Sequence, residues 1–345
     1  MKNLFVVFYL FLTLNCISQN IKGKIFDIDK KPLSGVNIYY EGTTISTISD
    51  ENGNFSLNFD AKANTVLVVS FIGYKTQYFT NFDSTKNLNI KLSRSEIVLK
   101  EVVINRKDKF SRKQKLKIFR EQFLGKTPNG KAAIIQNEDD IYFKYDKKKY
   151  VLKAFSDKPL IVKSPFLGYK IHYELISFEV TFNKLSIHGN DVILSFYKGL
   201  SRFEVTNNTN EILILREEVY QGSQLHFFSN LANMIWDKEQ FLIYNDGQLM
   251  NPNNCFKIYK KEGFIKVDVI KQAEKNKNEK FVASYDLMFR KKKKSNIIFE
   301  INSFTIDKYG NNSSIENIIF LGDISKQRIG DMLPLNYIST TKKVT

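Results

Sequence analysis

The sequence predicts a mainly β protein: an N-terminal seven-stranded β-sandwich, then a linking helix, then a β-rich α+β second domain. Three observations carry that expectation. Aromatic residues make up 14 % of the 345, with 29 Phe and 17 Tyr among many Ile and Val. Such side chains suit pleated, half-buried surfaces. Residues 20–92 break into seven short alternating runs separated by turn signals, the cadence of a sandwich. Past residue 105 the apolar spacing turns helical before strand-like runs resume. The chain is long enough for two domains, and at 43 % hydrophobic it can fill both cores.

Residues 1–18 read as an address. Lys2 supplies a positive start and Leu4 to Leu14 an apolar core of eleven residues, too short for a membrane span of about 20. Cys16 and Ser18 set small side chains three and one before a cut, so the mature chain is expected to begin at Gln19. A rival reading makes Cys16 a lipid-anchored N-terminus. It needs a small residue just before the cysteine, where Asn15 stands. With Cys16 removed, Cys255 is the lone thiol, and it reads as a buried small hydrophobe. No later run is long and apolar enough for an integral helix in the mature chain.

Residues 19–104 carry the sandwich. Turns fall at Asp29-Lys30-Lys31-Pro32, Ser34-Gly35, Glu41-Gly42 and Asp50-Glu51-Asn52-Gly53. Between them run Ile21 to Phe26, Val36 to Tyr40, Thr43 to Ile48, Phe55 to Phe59, Val66 to Phe71, Tyr74 to Thr80 and Leu88 to Leu92. Each run offers one apolar face, and two sheets bury those faces together. The ordered motifs Gly23-Lys24-Ile25-x-Asp27, Pro32-Leu33-Ser34-Gly35-Val36-Asn37-Ile38, Gly42-Thr43, Ser49-Asp50-x-x-Gly53-x-Phe55 and Ser70-Phe71-Ile72-Gly73-Tyr74 resemble the carboxypeptidase regulatory-like domain. That resemblance implies a transthyretin-like, immunoglobulin-like sandwich. It also implies the cell envelope of a Gram-negative bacterium, where such modules stand before the plug of TonB-dependent outer-membrane receptors or at the front of exported proteins.

The module is not itself a peptidase. A catalytic zinc needs about three protein ligands. The chain has three histidines, His172, His188 and His226, none with a partner at ligand spacing. His172 and Glu174 alternate on an expected strand without a third ligand in view. No metal and no cofactor are expected. Asp50, Asn52 and Gly53 read as a hairpin turn whose side chains cap their own backbone, since a calcium loop would need more acidic ligands.

Residues 105–125 predict an amphipathic linker helix, with Leu116, Phe119 and Phe123 at helical spacing and Gly125 as its stop. It is preceded by an extended run, Leu99 to Ile104. Residues 126–345 predict two to three helices on an antiparallel sheet. Strands are expected at Ile141 to Tyr145, Tyr150 to Phe155, Tyr169 to Phe182, Val192 to Tyr197, Phe241 to Tyr244, Phe256 to Tyr259, Phe264 to Val269, Val282 to Phe289 and Ile297 to Phe304. A helix is expected over Leu225 to Trp236, and a turn over Asp307 to Asn312. Five motifs, among them Leu167-Gly168-Tyr169, Tyr220-x-Gly222-Ser223-x-x-His226-Phe227 and Asp331-Met332-Leu333-Pro334, resemble the C-terminal half of exported bacterial proteins named only for their regulatory-like domain. That resemblance implies no activity.

Ser223 and His226 are the candidate site. Three apart at a helix start, they share a face, as a hydroxyl nucleophile and its base would. A hydrolase would also need an orienting acid and an oxyanion hole. Ser223 reads more simply as an N-cap and His226 as a core group. The formal charge of +16 comes from Lys scattered over solvated faces; the dense run Arg290 to Lys294 reads as a hairpin tip. Nucleic acid is not an expected partner. The expected role is non-catalytic binding or structure in the periplasm or at the outer-membrane surface, with an envelope protein or glycan as partner. The alternatives are a hydrolase using Ser223 and His226, and anionic-lipid or polysaccharide binding through the basic surface.

Overall fold

The computed structural model describes residues 20–58, 66–80, 86–95, 109–261, 263–272 and 281–340. The expected signal segment with Cys16, and the expected extended run at 99–104, lie outside the described residues. The chain divides into two compact units, and residues 41–44 group with the second.

The first unit is the sandwich, with all seven strands in the expected order. They are β1 (Asn20–Phe26), β2 (Asn37–Tyr40), β3 (Ser46–Ile48), β4 (Asn54–Asn58), β5 (Leu67–Ser70), β6 (Gln77–Phe79) and β7 (Leu88–Lys91). One sheet runs β4-β1-β7, with β1 and β7 parallel. The other is the antiparallel sheet β3-β2-β5-β6. Ile21, Ile25, Ile38, Leu57, Leu67, Val69 and Ile90 fill the space between them. β3 begins at Ser46 where a strand from Thr43 was expected, because residues 41–44 leave the sandwich.

Short-range polar caps shape its corners. The Asp50 carboxylate accepts the N–H groups of Asn52 and Asn54, at 2.9 and 2.8 Å. Gly53 follows at φ +77°, where a Cβ would come 2.4 Å from the Ile25 carbonyl oxygen. Only glycine fits that corner. Asp27 likewise takes the N–H groups of Asp29 and Lys31.

The second unit opens with helix α1 (Arg112–Phe123), capped reciprocally by Ser111 and Gln114. This start lies inside the expected 105–125 segment because the capping box fixes it there. Ile118, Phe119 and Phe123 are buried in the unit's first core. After α2 (Pro128–Ala132) come β8 (Ile134–Ile135), β9 (Ile141–Asp146), β10 (Val151–Ser156), β11 (Leu160–Ser164), β12 (Tyr169–Phe182) and β13 (Val192–Val205). They form one sheet ordered β8-β11-β12-β10-β9, with β13 along the other side of β12. β13 runs past the expected Tyr197 because β12 offers it fourteen residues of partner, with a bulge between Leu175 and Ser177.

Helices α3 (Asn210–Tyr220) and α4 (Gln224–Asn233) lead into the rest of the unit. Its further strands are β14 (Phe241–Asn245), β15 (Gln248–Leu249), β16 (Phe256–Lys261), β17 (Phe264–Val269), β18 (Ala283–Phe289), β19 (Lys293–Phe299), β20 (Ser303–Ile306) and β21 (Ile318–Gly322). They make two sheets, β15-β14-β18-β19-β21 and β16-β17-β20. The single strand expected over Ile297 to Phe304 is therefore two, β19 and β20, in different sheets. Its register breaks near Asn302, whose carbonyl accepts the Val269 N–H. Beyond the linker helix, the described part of the second unit has three α-helices, as many as expected, but three sheets where one was expected. A second core gathers Phe227, Phe228, Phe241, Phe299 and Phe304.

Candidate functional site

Ser223 and His226 sit at the corner between α3 and α4. The corner is Gly222, at φ +80°, where a Cβ would come 2.7 Å from the Phe289 ring. Backbone handedness and space both demand glycine there. Ser223 is the N-cap of α4, its Oγ accepting the His226 backbone N–H at 3.1 Å. The imidazole turns back on the same corner, and its Nδ1 accepts the Gly222 N–H at 3.0 Å. An accepting Nδ1 puts the proton of a neutral ring on Nε2. The ring is boxed by Tyr220, Phe241 and Phe289, with centroids 4.8, 5.4 and 5.5 Å away. Both residues are buried. The hydroxyl and the ring thus each serve a backbone N–H of the turn that holds them.

The other histidines stand elsewhere. His172, on β12, approaches Glu204 at 3.3 Å, and burial holds its pKa below the ordinary range, helped by the Arg202 charge. Burial raises the pKa of Glu174 on the same strand. His188 precedes β13 and its backbone N–H meets Ser186. Among the described residues no three His, Cys, Asp or Glu side chains gather as a metal would require. Cys255 is buried and its thiol is pushed up by that burial, which keeps it protonated.

Helix α3 carries two side chains the sequence reading missed. Arg216 is buried, stacked on the Tyr169 ring at 4.0 Å. Its guanidinium donates to the Leu167 and Asn207 carbonyls, each at 2.8 Å, and to Asn208 Oδ1 at 2.7 Å. Glu217, one residue on, receives the C-terminal segment: the Tyr337 hydroxyl at 3.1 Å, the Ser339 hydroxyl at 2.8 Å and the Thr340 N–H at 3.1 Å. Burial, with the Glu217 charge beside it, raises the Tyr337 phenol, so it remains a donor. A signal for α3 was present: Thr209 followed by Ile212, Arg216 and Tyr220 at four-residue spacing. A charged residue in that stripe masks it.

A groove of about 790 Å³ lies between α3 and the turn joining β18 to β19. Its lining is mostly apolar, with Leu213, Ile214 and Phe289 as the hydrocarbon groups and Arg290, Lys292 and Lys293 at the turn. The expected hairpin tip at Arg290 to Lys294 is there, with all five residues exposed.

The sandwich described above matches a known family. Residues 21–104 match the CarboxypepD_reg-like domain family. Those residues are a CarboxypepD_reg-like domain. The chain is 37 % identical over 97 residues to the TonB-dependent receptor SusC of Bacteroides thetaiotaomicron, covering 28 % of this chain and 9 % of that receptor. It is 33 % identical over 102 residues to the TonB-dependent receptor P39 of Formosa agariphila, covering 29 % of this chain and 10 % of that one. The chain therefore spans about a tenth of the length of these curated relatives. Among solved structures, a type II cohesin–X-dockerin complex of Acetivibrio cellulolyticus is 21 % identical, covering 22 % of this chain and 58 % of that one. Its TM-score of 0.20 is too low to carry an argument. No helix among the described residues is long and apolar enough to cross a membrane.

Proposed function

We propose that this chain is a non-catalytic binding or structural protein of the cell envelope. On this reading it is exported behind residues 1–18 and held in the periplasm or at the outer membrane. The observation that carries the reading is the CarboxypepD_reg-like domain at residues 21–104, similar to segments of two TonB-dependent receptors. Its sheets end in β3 and β6 on one side and β4 and β7 on the other. Such edges offer unpaired backbone groups to an added strand, so an envelope protein is the partner we favour over a nucleic acid. Cross-linking in living cells, followed by membrane fractionation and capture of the tagged chain, tests this. Recovery in the envelope with a defined partner is expected. A cytoplasmic chain that retains its first eighteen residues would defeat the reading, and N-terminal sequencing reports that directly.

The cap geometry favours structure over hydrolysis at Ser223 and His226. Ester, amide and glycoside substrates should show no turnover that depends on them. Turnover lost in both Ser223→Ala and His226→Ala, at unchanged melting temperature, would restore the hydrolase.

A further inference from the structure

The turn between β18 and β19 breaks a local rule. Arg290 and Lys291 both adopt left-handed backbone, at φ 48° and 53°, where hairpins ordinarily use Asn-Gly or Asp-Gly. Long cationic side chains at such positions are disfavoured by sterics. A strained turn is a pointer to use. The same turn concentrates charge: none of Lys291, Lys292, Lys293 or Lys294 makes an ion pair with a carboxylate among the described residues. Arg290 is held by neutral acceptors, the Glu239 carbonyl and Gln221 Oε1. Arg290 and Lys293 also lie over the Phe289 ring, at 5.1 and 5.8 Å, so their charged ends stand at the border of an apolar surface.

Across the groove, α3 presents Leu213 and Ile214, the latter 60 % exposed. Of the two carboxylates on that wall, Glu217 is engaged by residues 337–340, which leaves Glu218 in a lining that holds three cations, Arg290, Lys292 and Lys293. A concave, mostly hydrocarbon surface with a few convergent charges at one end is what a small-ligand site requires, and its volume falls in the usual range of about 300–1,000 Å³.

We propose that this groove binds an anionic amphiphile with a single hydrocarbon chain. The chain lies along Leu213, Ile214 and Phe289, and the anionic head meets Arg290, Lys292 and Lys293. The proposal rests on the binding role argued above and names a ligand class for it.

Fluorescence titration of the full chain with dansyl-labelled undecanoic acid tests it, beside the corresponding alcohol. Saturable binding is expected, about tenfold weaker for the alcohol, a difference of about 1.4 kcal/mol. Ile214→Glu should weaken the acid at least about tenfold by placing a carboxylate on the hydrocarbon floor. A Lys292→Glu, Lys293→Glu double variant should weaken the acid and spare the alcohol. High salt should narrow the preference for the acid, since exposed charges are screened. All replaced side chains are exposed, so melting temperatures should hold. Lys260→Glu with Lys261→Glu, on β16, makes the same charge change and should leave binding intact. Absence of saturable binding, equal binding of acid and alcohol, or equal loss in the β16 control would overturn the proposal. Envelope fractionation reports on the broader role independently of these outcomes.

Discussion

In the sandwich, two Asp corners close within a few residues, Asp27 to Lys31 and Asp50 to Asn54, both four residues apart, and Ser49 reaches no further than Val36 and Leu33, 13 and 16 residues away. The second unit has such corners too, at Asp146 and Asp307, but adds ties that are distant. Arg216 holds the Leu167 carbonyl 49 residues away, and Glu217 holds Tyr337 across 120. Two strand-rich regions thus encode their folds differently. Locally closed turns announce strand boundaries in the sequence itself. Distant side-chain ties do so only once the chain has folded.

The largest effect should come from removing the second unit altogether. A fragment of residues 19–95 is expected to unfold cooperatively on heating, because its single core is self-contained. A molten fragment would break the comparison. Within the second unit, Phe227→Ala should destabilise by about 3–5 kcal/mol in chemical denaturation. Its fully buried ring meets Phe228, Trp236, Phe241 and Phe320 at 5.3 to 6.0 Å.

Legibility follows the same division. The seven sandwich strands, the Asp50 turn and the Cys255 burial could be read from residue order, since alternation and Asx-Gly corners are local facts. β12 was legible as well, because fourteen alternating residues leave little choice. Helix α3 was not, because Arg216 occupies a core position in its apolar stripe. Nor was the split of Ile297 to Phe304 into β19 and β20: alternation continues through Ile301, and only pairing with different sheets separates them. Ser223 was readable as a cap. The groove was not, since Ile214 and the Arg290 to Lys294 turn lie far apart in sequence.

Arg216→Ala sharpens the comparison next. It strips the donor from two carbonyls and the cation from the Tyr169 face, and should cost about 2–4 kcal/mol, measured by urea unfolding. Disabling the sandwich's exposed Asp50 turn should cost clearly less. A smaller effect is expected from Ser223→Ala, about 1 kcal/mol by the same measurement, as for other N-caps.

The smallest effects are in pH dependence, and the two regions should show opposite signs. The Asn54 N–H, with other donors, holds the Asp50 carboxyl below the ordinary range. Its contribution is present above that range and lost as pH falls through the lowered value. Asp50→Asn should therefore flatten the acid limb of the sandwich. Burial holds Glu174 above the ordinary range. The stability linked to it is present below that range and lost as pH rises through the raised value. Glu174→Gln should then raise the melting temperature at neutral pH and leave it unchanged in acid.

The attachment of Tyr337, Ser339 and Thr340 to Glu217 also has a kinetic meaning. The acceptor on α3 leaves the ribosome 120 residues before Tyr337, the nearest of these three donors in sequence. A growing chain can close the Asp27 and Asp50 corners of the sandwich within moments of making them. It cannot close the far side of α3 until nearly the whole second unit has been synthesised. Contacts of such sequence separation form slowly, and until they do the apolar residues they help to cover stay open to other chains. The second unit is therefore the part whose folding waits on residues 337–340, and the part most dependent on escorts until they emerge.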